Sequence, residues 1–97
     1  MGTYILLSRW TAQGVSHVDA APARIDAIRR QFRASGAEVK DAYLVMGRYD
    51  TVLIFDAPDD ETATRLVLSI GKAGNVHTET LRAFREDEFK RLVANLP

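Results

Sequence analysis

The side chains of this sequence that could do chemistry are few and far apart. Tyr49-Asp50 follows Gly47-Arg48, while Arg9-Trp10, His17, Asn75, His77 and Arg82 lie elsewhere. An imidazole or a carboxylate can act as a general base, and a phenol or an amide can donate to a developing oxyanion. Arginines can hold an anionic group while Trp and Tyr rings pack on its apolar part. His17, His77 and Asp50 or Glu79 could in principle ligate a metal. The spacing that would place two histidines on one element is absent, so no metal is expected. Ser8, Ser16, Ser35 and Ser69 lack the strand-to-helix elbow of a serine nucleophile. Gly71 and Gly74 follow a helical pattern rather than open one, so no phosphate cradle and no cofactor are expected.

These residues must be positioned by elements that the pattern makes visible. Thr3 to Trp10 is a short run rich in strand formers, ended by polar residues Thr11 to Ser16, which read as a loop. A helix follows with Asp19 as its cap, Pro22 in its first turn, Ile25, Ile28 and Phe32 on one side, and Gly36 as its stop. Strands from about Val39 to Met46 and from about Tyr49 to Asp56 flank Gly47-Arg48, which suits a two-residue type II′ hairpin. Pro58-Asp59-Asp60-Glu61 opens a second helix with Ala63, Leu66, Val67 and Ile70 inward, its acids complementing the helix dipole. Val76 to Phe84 alternates as a fourth strand, and Phe89, Leu92, Val93 and Leu96 share one side of a last short helix.

Composition narrows the class. With 97 residues, 46% hydrophobic and 27% charged, the chain is expected to form a single domain over 1–97. Thirteen basic side chains balance thirteen acidic ones (Lys+Arg 13, Asp+Glu 13), so no global field draws it to nucleic acid or a membrane. No apolar run approaches the roughly 20 residues of a membrane span, cysteine is absent, and no leader is expected, since no charged-then-apolar pattern stands at the start. These features predict a cytoplasmic protein.

The order β-α-β-β-α-β predicts an α+β ferredoxin-like sandwich, two helices on one face of an antiparallel sheet. The first and third strands are then central, yet they are apolar at nearly every position: Ile5-Leu6-Leu7 and Val52-Leu53-Ile54-Phe55. A sheet wetted on one face alternates instead. Two apolar faces with helices for one require a second cover, and a copy of the same sheet supplies it, predicting a homodimer joined face to face. The same element order serves RNA-recognition motifs, but those need stacking aromatics on the central strands, where this chain is aliphatic. Arg24, Arg29, Arg30 and Arg33 therefore read as a solvated helix face.

Several separated segments resemble the GYD-domain family: Gly47-Arg48-Tyr49-Asp50, Tyr4 to Trp10, Pro22 to Ala27, Ala57-Pro58-Asp59-Asp60-Glu61 and Gly74 to Phe84. The resemblance implies a dimeric α+β-barrel and no particular activity. That family more often carries Arg or Lys at the His77 position, so a role particular to His77 is not a family role.

In this topology the end of the first strand shares an edge with the starts of the third and fourth. Arg9, Trp10, Tyr49, Asp50, Asn75 and His77 are thereby expected on one rim, with His17 and Asp19 near it. Three functions suit such a domain. A binding or sensing module would hold an anion with Arg9 and Arg82 and pack Trp10 and Tyr49 on its body. An enzyme resembling the cofactor-independent monooxygenases or isomerases of this fold would use His77 or Asp50 as base and Tyr49 or Asn75 as donor. A structural dimer would dock a partner through the helix from Phe89 to Leu96. Each residue also has a plain role: Asp50 in an ion pair or turn hydrogen bonds, Asn75 in a turn, His17 in solvent.

Overall fold

Strand β1 (Gly2–Trp10) lies at the heart of a four-stranded antiparallel sheet of order β2-β3-β1-β4, completed by β2 (Glu38–Leu44), β3 (Thr51–Ala57) and β4 (Val76–Ala83). The structure, a computed structural model, describes residues 1–97. Tyr4, Leu6, Leu53 and Phe55 point to the face carrying helices α2 (Ala21–Ala34) and α3 (Asp60–Lys72), where Phe32, Ala63 and Leu66 meet them. Phe55 stacks on Tyr4 at 5.2 Å and takes the edge of Phe32 at 4.9 Å, so one aromatic joins the central strand to α2. Asp59 caps α3 by accepting from the Thr62 amide at 2.8 Å, which holds its carboxyl below the ordinary value. The α+β ferredoxin-like architecture expected from the element order is the one observed.

Four local expectations need correction. The hairpin is wider than a two-residue turn: the strands end at the Leu44–Thr51 pair, and the Val45 amide donates to the Asp50 carbonyl at 2.8 Å. Gly47, at φ +132°, lies within that loop beside a fully exposed Met46, a backbone conformation suited to glycine. The segment after β1 is a helix rather than a loop: α1 (Ala12–Ser16) starts at Thr11, whose hydroxyl accepts from the Gly14 amide at 3.1 Å. Asp19 lies in a single 3₁₀ turn, Val18–Ala20, and α2 begins at Ala21 without a side-chain cap. Gly71 falls inside α3, and Gly74, at φ +85°, makes the turn into β4.

The last helix, α4 (Glu86–Ala94), has no buried residue and presents Phe89, Leu92, Val93 and, just beyond it, Leu96 to solvent. No helix is long and apolar enough to cross a membrane.

Candidate functional site

Cross-strand register decides which of the expected rim residues can cooperate, because side chains alternate faces along each strand. Arg9 pairs with His77, and both lie on the open face of the sheet, away from the helices. Tyr49 belongs to that face too: its hydroxyl donates to Glu79 at 2.5 Å, and Glu79 shares the row of Leu7. That bond is the main reason the Tyr49 phenol is raised above its ordinary value, with the positive charges of Arg48 and Arg9 opposing it. Trp10 pairs with Val76 one row further on and points to the helix side. The rim is therefore divided by the sheet.

Asp50 turns out to be a clasp. Its carboxylate accepts from the Trp10 amide at 2.9 Å, its amide donates to the Ser8 carbonyl at 2.8 Å, and its carbonyl takes the Val45 amide. These bonds continue the β1–β3 pairing beyond the first residue of β3, so the plain reading of Asp50 describes its contacts. Asn75 is held similarly: its carbonyl accepts from the Thr11 amide at 3.0 Å and its side-chain oxygen from Gln13 at 3.0 Å. His17 is exposed, with Nδ1 3.0 Å from both the Ser16 hydroxyl and the Gln13 carbonyl. No three His, Asp or Glu side chains come together as a metal-ligating group.

Arg82 does not share a site with Arg9. It pairs with Tyr4, five residues back along β1, or about 17 Å at ~3.4 Å per residue, and on the helix-side row. There its guanidinium lies 5.5 Å from the Tyr4 ring and 4.5 Å from that of Phe84. The two arginines cannot close on one small anion.

The open face has an ordered layout. Ile5, Leu7, Val52 and Ile54 are half-buried at its centre, with Leu81 and Tyr43 exposed beside them. One end is closed by Arg9, His77, Tyr49 and Glu79. The other is closed by Thr3, which donates to Asp56 at 2.9 Å and accepts from Arg85 at 2.9 Å. An apolar centre between polar ends is the layout of a protein interface.

The helix side holds a concave site, and two of the expected rim residues, Trp10 and Asn75, line it. Where α2 and α3 part over the start of β4, an outer chamber of 210 Å³ is lined by Ala27, Ile28, Ile70, Ala73 and Val76, with Gln31, Ser69 and Asn75 around it. An inner chamber of 50 Å³ reaches toward Ser8, Thr51 and Trp10, and Arg24 lines both. Arg24 is thus not simply part of a solvated face. It is exposed along part of its length, donates to the His17 carbonyl at 2.9 Å and makes no ion pair. Ser8 had a sequence signal: it is the polar residue on the inward parity of Tyr4 and Leu6. Gly14 also escaped notice. A Cβ there would lie 2.0 Å from the Asn75 carbonyl oxygen, so only glycine lets α1 rest on the α3–β4 turn.

Fold and layout together define a small ferredoxin-like domain with one sheet face roofed by helices and the other left apolar and open. The chain belongs to the GYD-domain family, whose model matches residues 4–93. It is similar to the glutamine synthetase and cystathionine β-lyase binding protein of Thermus thermophilus, 36% identical over 84 residues, 86% of this chain and 88% of that one. Its fold is similar to that of a feast or famine regulatory protein of M. tuberculosis complexed with L-methionine, with a TM-score of 0.68 at 22% identity. That match covers 88% of this chain and 51% of the regulator, so the chain spans about half the regulator's length. A crystal structure of a Thermus thermophilus protein matches at TM-score 0.57 and 29% identity, over 88% of this chain and 95% of that one.

Proposed function

We propose that the protein is a homodimeric binding and sensing module that engages a partner enzyme. The observation carrying this reading is the open sheet face, whose aliphatic centre of Ile5, Leu7, Val52 and Ile54 has no cover within the chain. A second copy of the same face would bury that centre and set the polar ends of the two sheets against one another. The partner class comes from similarity: the Thermus relative binds glutamine synthetase and cystathionine β-lyase, and comparable enzymes are the first partners to try. The exposed apolar side of α4, from Phe89 to Leu96, gives such a dimer a surface for docking.

The catalytic alternative asks His77 or Asp50 to act with Tyr49 or Asn75 in one site. The register sets His77 and Tyr49 on one face and Asn75 at the helix-side cleft, with Asp50 engaged in backbone bonds, which favours binding over catalysis. Light scattering after size exclusion tests the assembly, with a dimer expected at micromolar concentration. Titration calorimetry with purified glutamine synthetase and cystathionine β-lyase tests the partner class, with saturable binding to at least one expected. A monomer overturns the first part, and failure to bind either enzyme overturns the second.

A further inference from the structure

We infer that the helix-side cleft is a binding site for a small monocarboxylic acid with a short apolar body. The inference rests on the sensing part of the proposed module and supplies its ligand class. The first observation is a row of hydroxyls. Thr51, Ser8 and Thr78 are paired neighbours across β3, β1 and β4, on the helix side, one row beyond the apolar Leu53 and Leu6. Ser8 is only 3% exposed, and its hydroxyl, which makes no hydrogen bond within the chain, keeps its accessible surface on the inner chamber that Ser8 and Thr51 line. A hydroxyl that opens onto a cavity with no partner in the chain keeps its donor and acceptor free for a group arriving from outside.

The second observation is Arg24. Its guanidinium carries five donors, one of them used on the His17 carbonyl, and no carboxylate pairs with it. It lines both chambers, so an anionic head in the inner one would lie between the guanidinium and the hydroxyls of Ser8 and Thr51. The outer chamber then receives the body against Ala27, Ile70 and Ala73. Its 210 Å³ falls below the roughly 300–1,000 Å³ of drug-sized sites, which limits the body to a few carbons. No Asp or Glu lines either chamber, so nothing there is built to receive the ammonium group of an amino acid. The cleft opens on the helix side, and a dimer formed through the other face leaves it free.

The test titrates 15N-labelled protein with 4-methylpentanoate, its neutral amide and L-leucine, which share one carbon skeleton. The carboxylate is expected to bind saturably and to shift the amide signals of Ser8, Arg24, Ile70 and Val76. Arg24→Gln is expected to weaken it by roughly 10–100-fold, the range of a lost charge-assisted hydrogen bond, and to leave the amide's affinity unchanged. Ala27→Phe, which fills the outer chamber from the helix surface, should abolish binding of both while the circular dichroism stays that of the parent. Absence of saturable binding at millimolar 4-methylpentanoate overturns the site. Equal affinity in Arg24→Gln, or leucine binding as tightly as the carboxylate, overturns the ligand class. Light scattering on the same samples separates the two proposals: a monomer that binds 4-methylpentanoate sinks the dimer alone, and a dimer that does not bind it sinks the site alone.

Discussion

The two faces of the sheet are made from the same strands, residue by alternate residue, and they are built differently. The helix side is three-dimensional. Phe55 is fixed by Tyr4 on one side and Phe32 on another, and the packing loosens where α2 and α3 part over Ser8 and Thr51. The open side is flat and aliphatic, and its polar groups are confined to its two ends. The first face is completed by the chain that makes it. The second has no cover within the chain. Substitutions at adjacent residues of one strand should therefore fail in different ways.

The largest effect is expected at Phe55, which is fully buried. Phe55→Ala removes the ring that joins β3 to α2 and should cost about 3–5 kcal/mol, read as a lower urea midpoint at unchanged slope. A cost under ~1 kcal/mol would show that the helix side is as loosely built as the open one. Next comes Gly14→Ala. The added methyl meets the Asn75 carbonyl, so α1 must lift and the Thr11–Asn75 backbone bond must lengthen, a strain of about 1–3 kcal/mol. Thermal unfolding measures it, and amide exchange at Thr11 should quicken along with it.

Much of this contrast could be read from the sequence. The element order and the doubly apolar central strands sufficed for the ferredoxin-like topology and for two apolar faces, because strand period and composition are local properties. The site was less legible. Arg9 and Trp10 are neighbours in sequence and therefore point to opposite faces, a consequence of alternation that grouping them by sheet edge overlooks. Arg24 looked like one of four solvated arginines, since its place beside the cleft depends on how far α2 and α3 part, and that is set by tertiary packing. Gly14 gave no sign at all: its role is a close approach to Asn75, 61 positions along the chain, and its local sequence is equally that of a loop.

A pH profile sharpens the comparison further. Tyr4 is buried and donates to Asp60 at 2.5 Å; burial first, and then that bond, push its hydroxyl from 10.0 up to about 12. In the unfolded chain the phenol loses its proton near pH 10, whereas the folded chain keeps it to about pH 12. Above pH 10 the unfolded state thus binds fewer protons, and stability falls until pH 12 is passed. Tyr4→Phe should flatten that decline when urea midpoints are followed from pH 9 to pH 12. Tyr49 on the open face is raised as well, but it is only half-buried at the edge of the sheet, where water screens its bond to Glu79, so Tyr49→Phe should leave the decline nearly as steep. Equal flattening by both would erase the distinction between the faces.

The smallest effect on the folded chain itself is expected one residue before Phe55. Ile54 is half-buried on the open face, opposite Ile5 on one neighbour strand and Asp41 on the other. Ile54→Lys creates no cavity, strands no polar group away from water in a single chain and sets an ammonium opposite Asp41, so its unfolding at high dilution should match the parent within about 0.5 kcal/mol. Concentration then reveals the face. The parent's melting temperature should climb as the protein is concentrated, because association stabilises only the folded state, and the variant's should stay level. A parent whose melting temperature is also independent of concentration would mean that the open face is covered by nothing in solution, and the difference between the two faces would be one of packing alone.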